Sequence, residues 1–307
     1  MAPLKDCMEL KQTFKPHHGK SIQISDQLSR ITAPNSGPFT FHGTNSYLIG
    51  TESLAIIDPG PIIDEHITAI IKAVGARPVT HIIVTHTHAD HSPAAKVLAK
   101  HFNATTYGEG AHRPARDLYL GEINPLDASA DKDFIPDVAL SDGEIICGDG
   151  WTLEAIATPG HTANHLAYSI KEENALLSGD HVMAWSTSIV APPDGSMSDF
   201  MASIEVLMAR DEHTFFPGHG GRVDNPNKFM RGLKTHRLMR EASIIERLKA
   251  GDRTIKDMVK VMYASTKPAL HGAAGLSVLA HLEDLVARGL VETEGAPAID
   301  GIFSIKT

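Results

Sequence analysis

A stretch of six residues, from His86 to His91, holds three histidines and one aspartate. Neutral imidazole and carboxylate groups are common protein ligands of Zn²⁺ and related divalent ions. The apolar run 81–84 predicts a buried strand before this stretch, and the residues after it predict a helix with Ser92 at its cap and Pro93 at its first position. The sequence therefore predicts metal-type ligands on a turn between a strand and a helix, where sites in open α/β sheets lie.

Three more residues of the same chemical types follow predicted strands farther along the chain. They are His161, Asp180 and His219, and each stands directly after a glycine. Any one of them alone is a weak signal, because short turns with these residues are common. Together with the first cluster, they indicate one site that is built from several strand ends.

Apolar spacing along residues 21–224 alternates between strand-like and helix-like patterns, which predicts an α/β layered domain. The predicted strands are 21–33, 45–50, 54–58, 80–84, two within 144–157, 165–170, 175–178 and 214–216, and the predicted helices are 63–74, 92–102 and 198–209. Residues 1–20 are predicted to be a poorly structured lead-in. The irregular segment 108–142 is predicted to be either a flap beside the site or a surface insertion.

A change in composition after Asn225 predicts a second, smaller domain, so we predict domains at 1–224 and 225–307. Helices at 227–250, 254–264 and 272–288, followed by strands at 290–292 and 302–305, suggest a winged-helix-like end. Basic residues recur at every third position of the long helix, at Lys228, Arg231, Lys234, Arg237 and Arg240. We interpret them as a solvated helix face, with contact to phosphates or a carboxylate as the alternative.

Charge and cysteine content limit the classes of protein to which this chain can belong. The 307 residues carry a net charge of −9, with +4 on residues 225–307 (13 basic minus 9 acidic) and −13 on the remainder (15 basic minus 28 acidic). An acidic protein is not a general nucleic-acid coat. We expect no membrane span and no secretory signal. Because Cys7 and Cys147 make no disulfide framework, we expect a reduced, cytoplasmic setting.

The clustered residues resemble five motifs of the metallo-β-lactamase superfamily and fall in the family's order. The motifs are Asp58-Pro-Gly, His86-Thr-His88-Ala-Asp90-His91, Thr158-Pro-Gly-His161, Gly179-Asp180-His181 and Pro217-Gly-His219. The whole-chain arrangement is most similar to the β-lactamase-like protein 2 branch, through residues 43–48, residues 161–165 and the tail. The resemblance implies an α/β fold, an αββα sandwich with a small C-terminal winged-helix-like domain.

The same resemblance implies two metal ions and a role for each motif residue. One metal would be held by His86, His88 and His161, the second by Asp90, His91 and His219, and Asp180 would bridge them. Asp58 is expected to orient the ligand loops and not to bind metal.

Seven nitrogen and oxygen donors are too many for one tetrahedral Zn²⁺ ion but suit two ions about 3.5–4 Å apart. Two such ions share a water, lower its pKa to roughly 7 and so supply a bridging hydroxide nucleophile. We expect Zn²⁺, although Mn²⁺ and Fe²⁺ use the same ligands. Asp90 is expected to orient the hydroxide, and His165 to donate a proton to the leaving group or to have an orienting or structural role.

These features predict a metal-dependent hydrolase, and three functions stay open. The first is a β-lactamase-like protein 2 type hydrolase that cleaves an ester-like or phosphodiester bond, including single-stranded RNA. The second is a glyoxalase II-like thioesterase. The third is a nucleic-acid-binding regulator with a vestigial metal site. The predicted helix 272–288 has a single basic residue, Arg288, which speaks against duplex DNA and favours a structural role or a homodimer contact.

Overall fold

The structure is a computed structural model, and it describes residues 8–306. The strands are β1 (Ile22–Gln23), β2 (Leu28–Thr32), β3 (Asn45–Ile49), β4 (Leu54–Ile57), β5 (Val79–Ile83), β6 (Thr105–Gly108), β7 (Val138–Ala139), β8 (Ile145–Gly148), β9 (Trp151–Ala157), β10 (Leu166–Ile170), β11 (Ala175–Gly179), β12 (Thr214–Pro217), β13 (Val291–Thr293) and β14 (Phe303–Ile305). The α-helices are α1 (Asp64–Val74), α2 (Ala94–Phe102), α3 (Met197–Met208), α4 (Pro226–Lys249), α5 (Ile255–Met262) and α6 (His271–Ala287).

Two sheets and the helices on their outer faces form four layers. The first sheet has seven strands in the order β1 to β7, and the second has five in the order β12-β11-β10-β9-β8. One apolar cluster fills the space between the sheets. A second joins the first sheet to α1 and α2, and a third joins the second sheet to α3 and α4. The predicted αββα sandwich is therefore confirmed.

Strand β10 shows how the sequence specifies these layers. Leu166, Tyr168 and Ile170 point into the cluster between the sheets, whereas Ala167 belongs to the cluster under α3. Successive side chains of a strand point to opposite faces, so a strand covered on both sides is largely apolar along its whole length. This burial explains why β10 has no exposed polar face, and its one serine, Ser169, is buried as well.

The parallel strands bring the predicted site residues to one edge. Strands β4, β5 and β6 are parallel neighbours in the first sheet, and β11 and β12 are parallel in the second. Asp58 follows β4, the stretch 86–91 follows β5, and Asp180 and His219 follow β11 and β12. Because the carboxyl ends of parallel strands meet at the same edge, the fold gathers residues that are far apart in sequence.

The start of the described chain differs from two sequence predictions. The predicted strand 21–33 is a pair of antiparallel strands, because residues 25–27 turn and the Ser25 hydroxyl accepts a bond from the backbone of Leu28. Residues 8–20 are irregular but are attached to the core: Met8 is buried, and the backbone N–H of Lys11 donates to the carbonyl of Ala184 at 2.8 Å. The part of the predicted lead-in before Met8, which includes Cys7, lies outside the described residues.

The predicted cap of the helix after the histidine cluster is wrong. Helix α2 begins at Ala94, and Pro93 occupies the cap position without a side-chain bond. The Ser92 hydroxyl instead donates to Asp131 Oδ2 at 2.6 Å. Ser92 therefore joins the irregular segment to the turn that carries the histidines.

The irregular segment lies against this turn over several backbone contacts. The N–H of Ala89 donates to the carbonyl of Ser129, and the N–H of Asp131 donates to the carbonyl of Thr87. Beside the segment is an open cleft of about 540 Å³, whose lining includes His112, Pro114, Leu118, Ile123, Asn124 and Asp194. The segment thus forms one wall next to the site.

The C-terminal region has the three helices and the strand pair that the sequence predicts. Helix α4 is shared between the two parts, since Met230 and Leu233 pack under the second sheet while Ile244 and Leu248 pack with α5 and α6. The boundary at residues 224/225 stays a prediction. Within residues 8–306, no helix has the length and apolar content needed to cross a bilayer.

A buried histidine of α6 makes stability depend on pH. His281 is 3% exposed, and neither of its ring nitrogens has a partner among residues 8–306. Burial, together with the charges of Arg237 and other basic side chains, lowers the pKa of His281 from 6.5 to about 3. The native state therefore keeps the ring neutral, while the unfolded chain protonates it below pH 6.5. The contribution of neutral His281 to the free energy of unfolding is therefore complete above pH 6.5 and is lost as the pH falls toward 3.

We expect His281→Gln to reduce this acid sensitivity. Between pH 7 and pH 5, the variant should lose up to about 2 kcal/mol less unfolding free energy than the wild type. Urea titrations at both pH values measure the difference. Equal losses in the two proteins would contradict the assignment.

Candidate metal centre

Three imidazoles converge at the end of β5. His86 Nε2 and His161 Nε2 each lie 3.0 Å from His88 Nδ1. The outer nitrogen of His86 donates to the Thr85 hydroxyl, because that hydroxyl itself donates to a carboxylate, and the outer nitrogen of His161 donates to the carbonyl of Ile189 at 2.7 Å. Two nitrogen lone pairs therefore face a third nitrogen, and these three atoms could hold a metal ion.

A second group lies next to the first. His219 Nε2 is 3.2 Å from Asp90 Oδ2, and His91 Nε2 is 3.4 Å from the same oxygen. These three residues form a set whose ligand atoms could hold a metal ion, as do the three imidazoles of the first group. Sequence prediction had placed all of them in the site, and the structure brings all of them together.

Asp180 lies between the two groups. Its Oδ2 is 3.2 Å from His219 Nε2 and 3.7 Å from His161 Nε2, and its Oδ1 is 3.6 Å from His91 Nε2. Oδ1 is buried and has no hydrogen-bond partner among the described residues. A carboxylate in this position can contact an ion in either group.

Asp58 supports the ligand residues through hydrogen bonds, and its own oxygens do not face the cluster of ligand atoms. Its Oδ1 accepts from the backbone N–H of Thr85 at 2.7 Å, and its Oδ2 accepts from the Thr85 hydroxyl at 2.8 Å. Oδ2 also lies 2.9 Å from His91 Nδ1. This contact directs Nε2 of His91 into the site, as expected of an orienting carboxylate.

Two polar residues at the start of β3, Thr44 just before it and Asn45 at its first position, contact the site from the other side, and sequence reasoning assigned them no role. The Thr44 hydroxyl donates to Asp90 Oδ2 at 2.9 Å. The amide of Asn45 donates to the carbonyls of Pro217 and Gly220, on both sides of His219. The sequence marks residues 43–48 only through a family resemblance, because threonine and asparagine are too common to stand out.

His165 has contacts that differ from those of a proton donor to substrate. Its Nδ1 lies 2.8 Å from the Thr158 hydroxyl, and its Nε2 accepts from the backbone N–H of Asp180 at 3.1 Å. The ring is 1% exposed. Both nitrogens are thus engaged by the protein, which favours the orienting alternative: His165 fixes the backbone of Asp180.

The two groups differ in their electrostatics. Burial, and next the charge of His161, lowers the pKa of His88 to about 3, and burial also lowers the pKa values of His86 and His161. Burial acts in the same direction on His219, but Asp180 and Asp90 outweigh it and raise its pKa to about 9. The first group is therefore neutral and ready to bind a cation, whereas the second holds protons that a cation would displace.

Gly218 leaves room for the ligands. A Cβ atom at this position would lie 2.5 Å from Asp180 Oδ1 and 2.6 Å from His91 Cε1. These distances are below any normal contact, so a side chain at position 218 would displace a ligand residue. The glycine before His219 is therefore required by close approach.

The donor set fits divalent metal ions. Four of the five histidines offer Nε2 and one offers Nδ1, and the remaining ligand atoms are carboxylate oxygens, all of them ligand types that Zn²⁺, Mn²⁺ and Fe²⁺ accept. The three sets whose ligand atoms lie within 4.8 Å of one another share residues, so the donors form one continuous cluster.

Comparison with known proteins assigns this chain to a family. Residues 39–219 match the Metallo-beta-lactamase superfamily. The chain belongs to the metallo-beta-lactamase superfamily. Residues 254–299 match the Beta-lactamase associated winged helix domain, so the predicted winged-helix end of this superfamily member is confirmed.

Relatives of this metallo-beta-lactamase superfamily member include proteins with different names. A Beta-lactamase-like protein 2 homolog from Caenorhabditis elegans is 32% identical over 276 residues, which cover 88% of each chain. An atrochrysone carboxyl ACP thioesterase from Cryptosporiopsis sp. is 26% identical and covers 85% of this chain and 80% of its own. A beta-lactamase domain protein from Burkholderia ambifaria superposes with a TM-score of 0.79 at 17% identity over 99% of both chains, which supports the fold alone.

We expect Gly218→Ala to lower metal affinity, because the new methyl group displaces Asp180 or His91. The loss should be tenfold or more, comparable to changing a residue that orients a ligand. The matched control is Gly221→Ala in the same loop, where the nearest atom to an added Cβ is Phe14 Cδ2 at 3.8 Å, an ordinary contact. Metal content after dialysis against a weak chelator measures the effect, and equal retention in both variants would contradict it.

Proposed function

We propose that this chain is a dinuclear metal-dependent hydrolase that cleaves an ester-like bond, with thioesters as the favoured substrate class. The observation that carries the proposal is the convergence of five buried imidazoles and two carboxylates, of which Asp180 is buried and Asp90 is partly exposed, in one cluster. Removing so many donors from water is unfavourable unless a cation binds them. Zn²⁺ is the proposed metal, and Mn²⁺ and Fe²⁺ are compatible with the same donors.

Each of the two proposed metal ions has its own set of three ligands. His86, His88 and His161 hold one ion, and Asp90, His91 and His219 hold the other. Asp180 contacts both groups and is the proposed bridge. Asp58 and His165 orient ligands through the contacts described above.

When bound, two such ions supply a nucleophilic hydroxide near neutral pH and stabilise negative charge on the substrate. Asp90 is the ligand carboxylate closest to solvent, since its side chain is 26% exposed and that of Asp180 is 8% exposed. Thr44, His91 and His219 all contact Oδ2 of Asp90. Its Oδ1 is therefore available to accept a hydrogen bond from the attacking nucleophile and so to orient it, which is the catalytic role proposed for Asp90.

The surface next to the cluster supports an acyl substrate. The open cleft is joined to the ligand turn by Thr87, whose hydroxyl lies 3.0 Å from His112 Nδ1. Leu118 and Ile123, both exposed, contribute apolar surface to the cleft. These apolar side chains, with the carboxylates of Glu122, Asp127 and Asp194 in the same lining, suit an acyl chain better than a phosphodiester backbone. The relatives named as thioesterases point to the same class.

Single-stranded RNA stays the second candidate, because the sequence resemblance to the β-lactamase-like protein 2 branch leaves a phosphodiester substrate open, and a relative of that name is 32% identical to this chain. A regulator that reads duplex DNA through α6 has little support. Arg288, which caps that helix, pairs with Glu241 and Asp284 and is not free to contact phosphates.

A paired assay tests the substrate class. We expect the Zn²⁺-loaded protein to hydrolyse short acyl thioesters and to leave single-stranded RNA intact. In His88→Ala the thioester kcat/KM should fall by more than about 100-fold, because a ligand itself is lost and not an outer partner of one. The matched control is His101→Ala, which removes an exposed histidine of α2 and should leave activity unchanged.

Each outcome of this assay has a definite meaning. Metal-dependent cleavage of RNA without thioester hydrolysis would overturn the substrate class and favour the second candidate. Activity that survives in His88→Ala would indicate a contaminant and remove the support for hydrolysis by this site.

A further inference from the structure

One side chain of the C-terminal region reaches the loop that follows Asp180. Arg237 lies on α4, is 3% exposed and donates from Nη2 to the carbonyl of Ser188 at 2.5 Å. The basic residues of α4 were predicted to form a solvated face. For Arg237 this prediction is wrong, since its guanidinium stacks 4.7 Å above the Phe200 ring inside the protein.

The loop that Arg237 contacts makes hydrogen bonds to two of the proposed metal ligands, Asp180 and His161. The Ser188 hydroxyl donates to the carbonyl of Asp180 and, at 2.9 Å, to the carbonyl of His181. The carbonyl of Ile189 accepts from His161 Nδ1 at 2.7 Å. Two consecutive residues thus fix the backbone of Asp180 and the ring orientation of His161. The second contact keeps the proton on Nδ1 and leaves Nε2 for a metal.

The environment of Arg237 is unusual for a side chain that serves only packing. No carboxylate pairs with it among residues 8–306, and its buried Nε has no hydrogen-bond partner there. Burial lowers its pKa to about 10, so the group remains charged near neutral pH. A buried unpaired charge is unfavourable, and an apolar side chain would fill the space better. Its one strong contact is the charge-assisted bond to Ser188.

We propose that Arg237 is a positioning residue of the metal centre: it anchors the Ser188–Ile189 backbone and thereby holds Asp180 and His161 in place. The C-terminal region is then part of the metal site and not only an appended domain. This inference rests on the proposed function, since it requires that the cluster bind metal. It assigns α4 a role that neither the family match nor the basic stripe specifies.

The test compares Arg237→Met, Arg237→Lys and the control Arg231→Met in the full chain. Methionine keeps a long apolar stem without charge or donor, and lysine keeps the charge and a donor. Arg231 is exposed on the same helix. Each metal-free protein is titrated with Co²⁺, whose visible absorption reports ligand geometry, and its melting temperature is recorded separately.

We expect Arg237→Met to bind Co²⁺ about tenfold more weakly than the wild type and to show an altered absorption spectrum. Arg237→Lys should recover part of the affinity and of the spectrum. Arg231→Met should match the wild type in both. A purely structural role would lower the melting temperature of Arg237→Met without changing the spectrum or affinity of the folded protein, and that result would overturn the inference.

Two further outcomes are distinguishable. If the wild type binds no Co²⁺, the proposed metal function fails, and the inference fails with it for that reason alone. If Arg237→Met does not fold, Arg237→Lys and Ser188→Ala decide the question. Ser188→Ala removes the hydroxyl that holds the Asp180 carbonyl, so wild-type affinity and spectrum in both variants would overturn the inference.

Discussion

Three imidazole nitrogens meet at 3.0 Å in this protein, and at least two of them present lone pairs. The protons of His86 and His161 are held on the outer side by Thr85 and by the carbonyl of Ile189. A cation bound between the rings would use both lone pairs together with Nδ1 of His88. Burial lowers the pKa of His88 to about 3, so near neutral pH this ring is neutral and carries a single proton, which must lie on Nε2 for Nδ1 to bind a metal. The rest of the site depends on this convergence, because the surrounding contacts hold the imidazoles in positions from which one cation can contact all three.

In the neighbouring group the imidazoles lie beside carboxylates, so they hold protons instead of presenting free lone pairs. Asp90 and Asp180 lie against His91 and His219, and they outweigh burial to raise the pKa values of both rings. Metal binding there displaces protons, whereas the first group needs no such exchange. The two halves of one cluster therefore respond differently to acid. This asymmetry follows from where the fold puts its carboxylates.

Much of this arrangement could be predicted from the sequence, because the proposed ligands are metal-binding residue types that follow strands: four lie together within residues 86–91, and the other three each follow a glycine. The parallel strands then require that these ends meet. The supporting contacts could not be predicted. Thr44 contacts Asp90 across 46 positions, and Arg237 contacts Ser188 across 49. Serine, threonine and arginine are common, and Arg237 belongs to a regular basic stripe that resembles a solvated helix face. Only the packing of α4 on the second sheet distinguishes it from its neighbours.

The central claim is that one cluster binds two metal ions, and metal stoichiometry tests it most directly. The full-length protein, stripped with a chelator and reloaded with Zn²⁺, is weighed by native mass spectrometry, and its zinc content is measured by plasma mass spectrometry. The account predicts two ions per folded chain. A folded chain that holds one ion or none at saturating Zn²⁺ would contradict it.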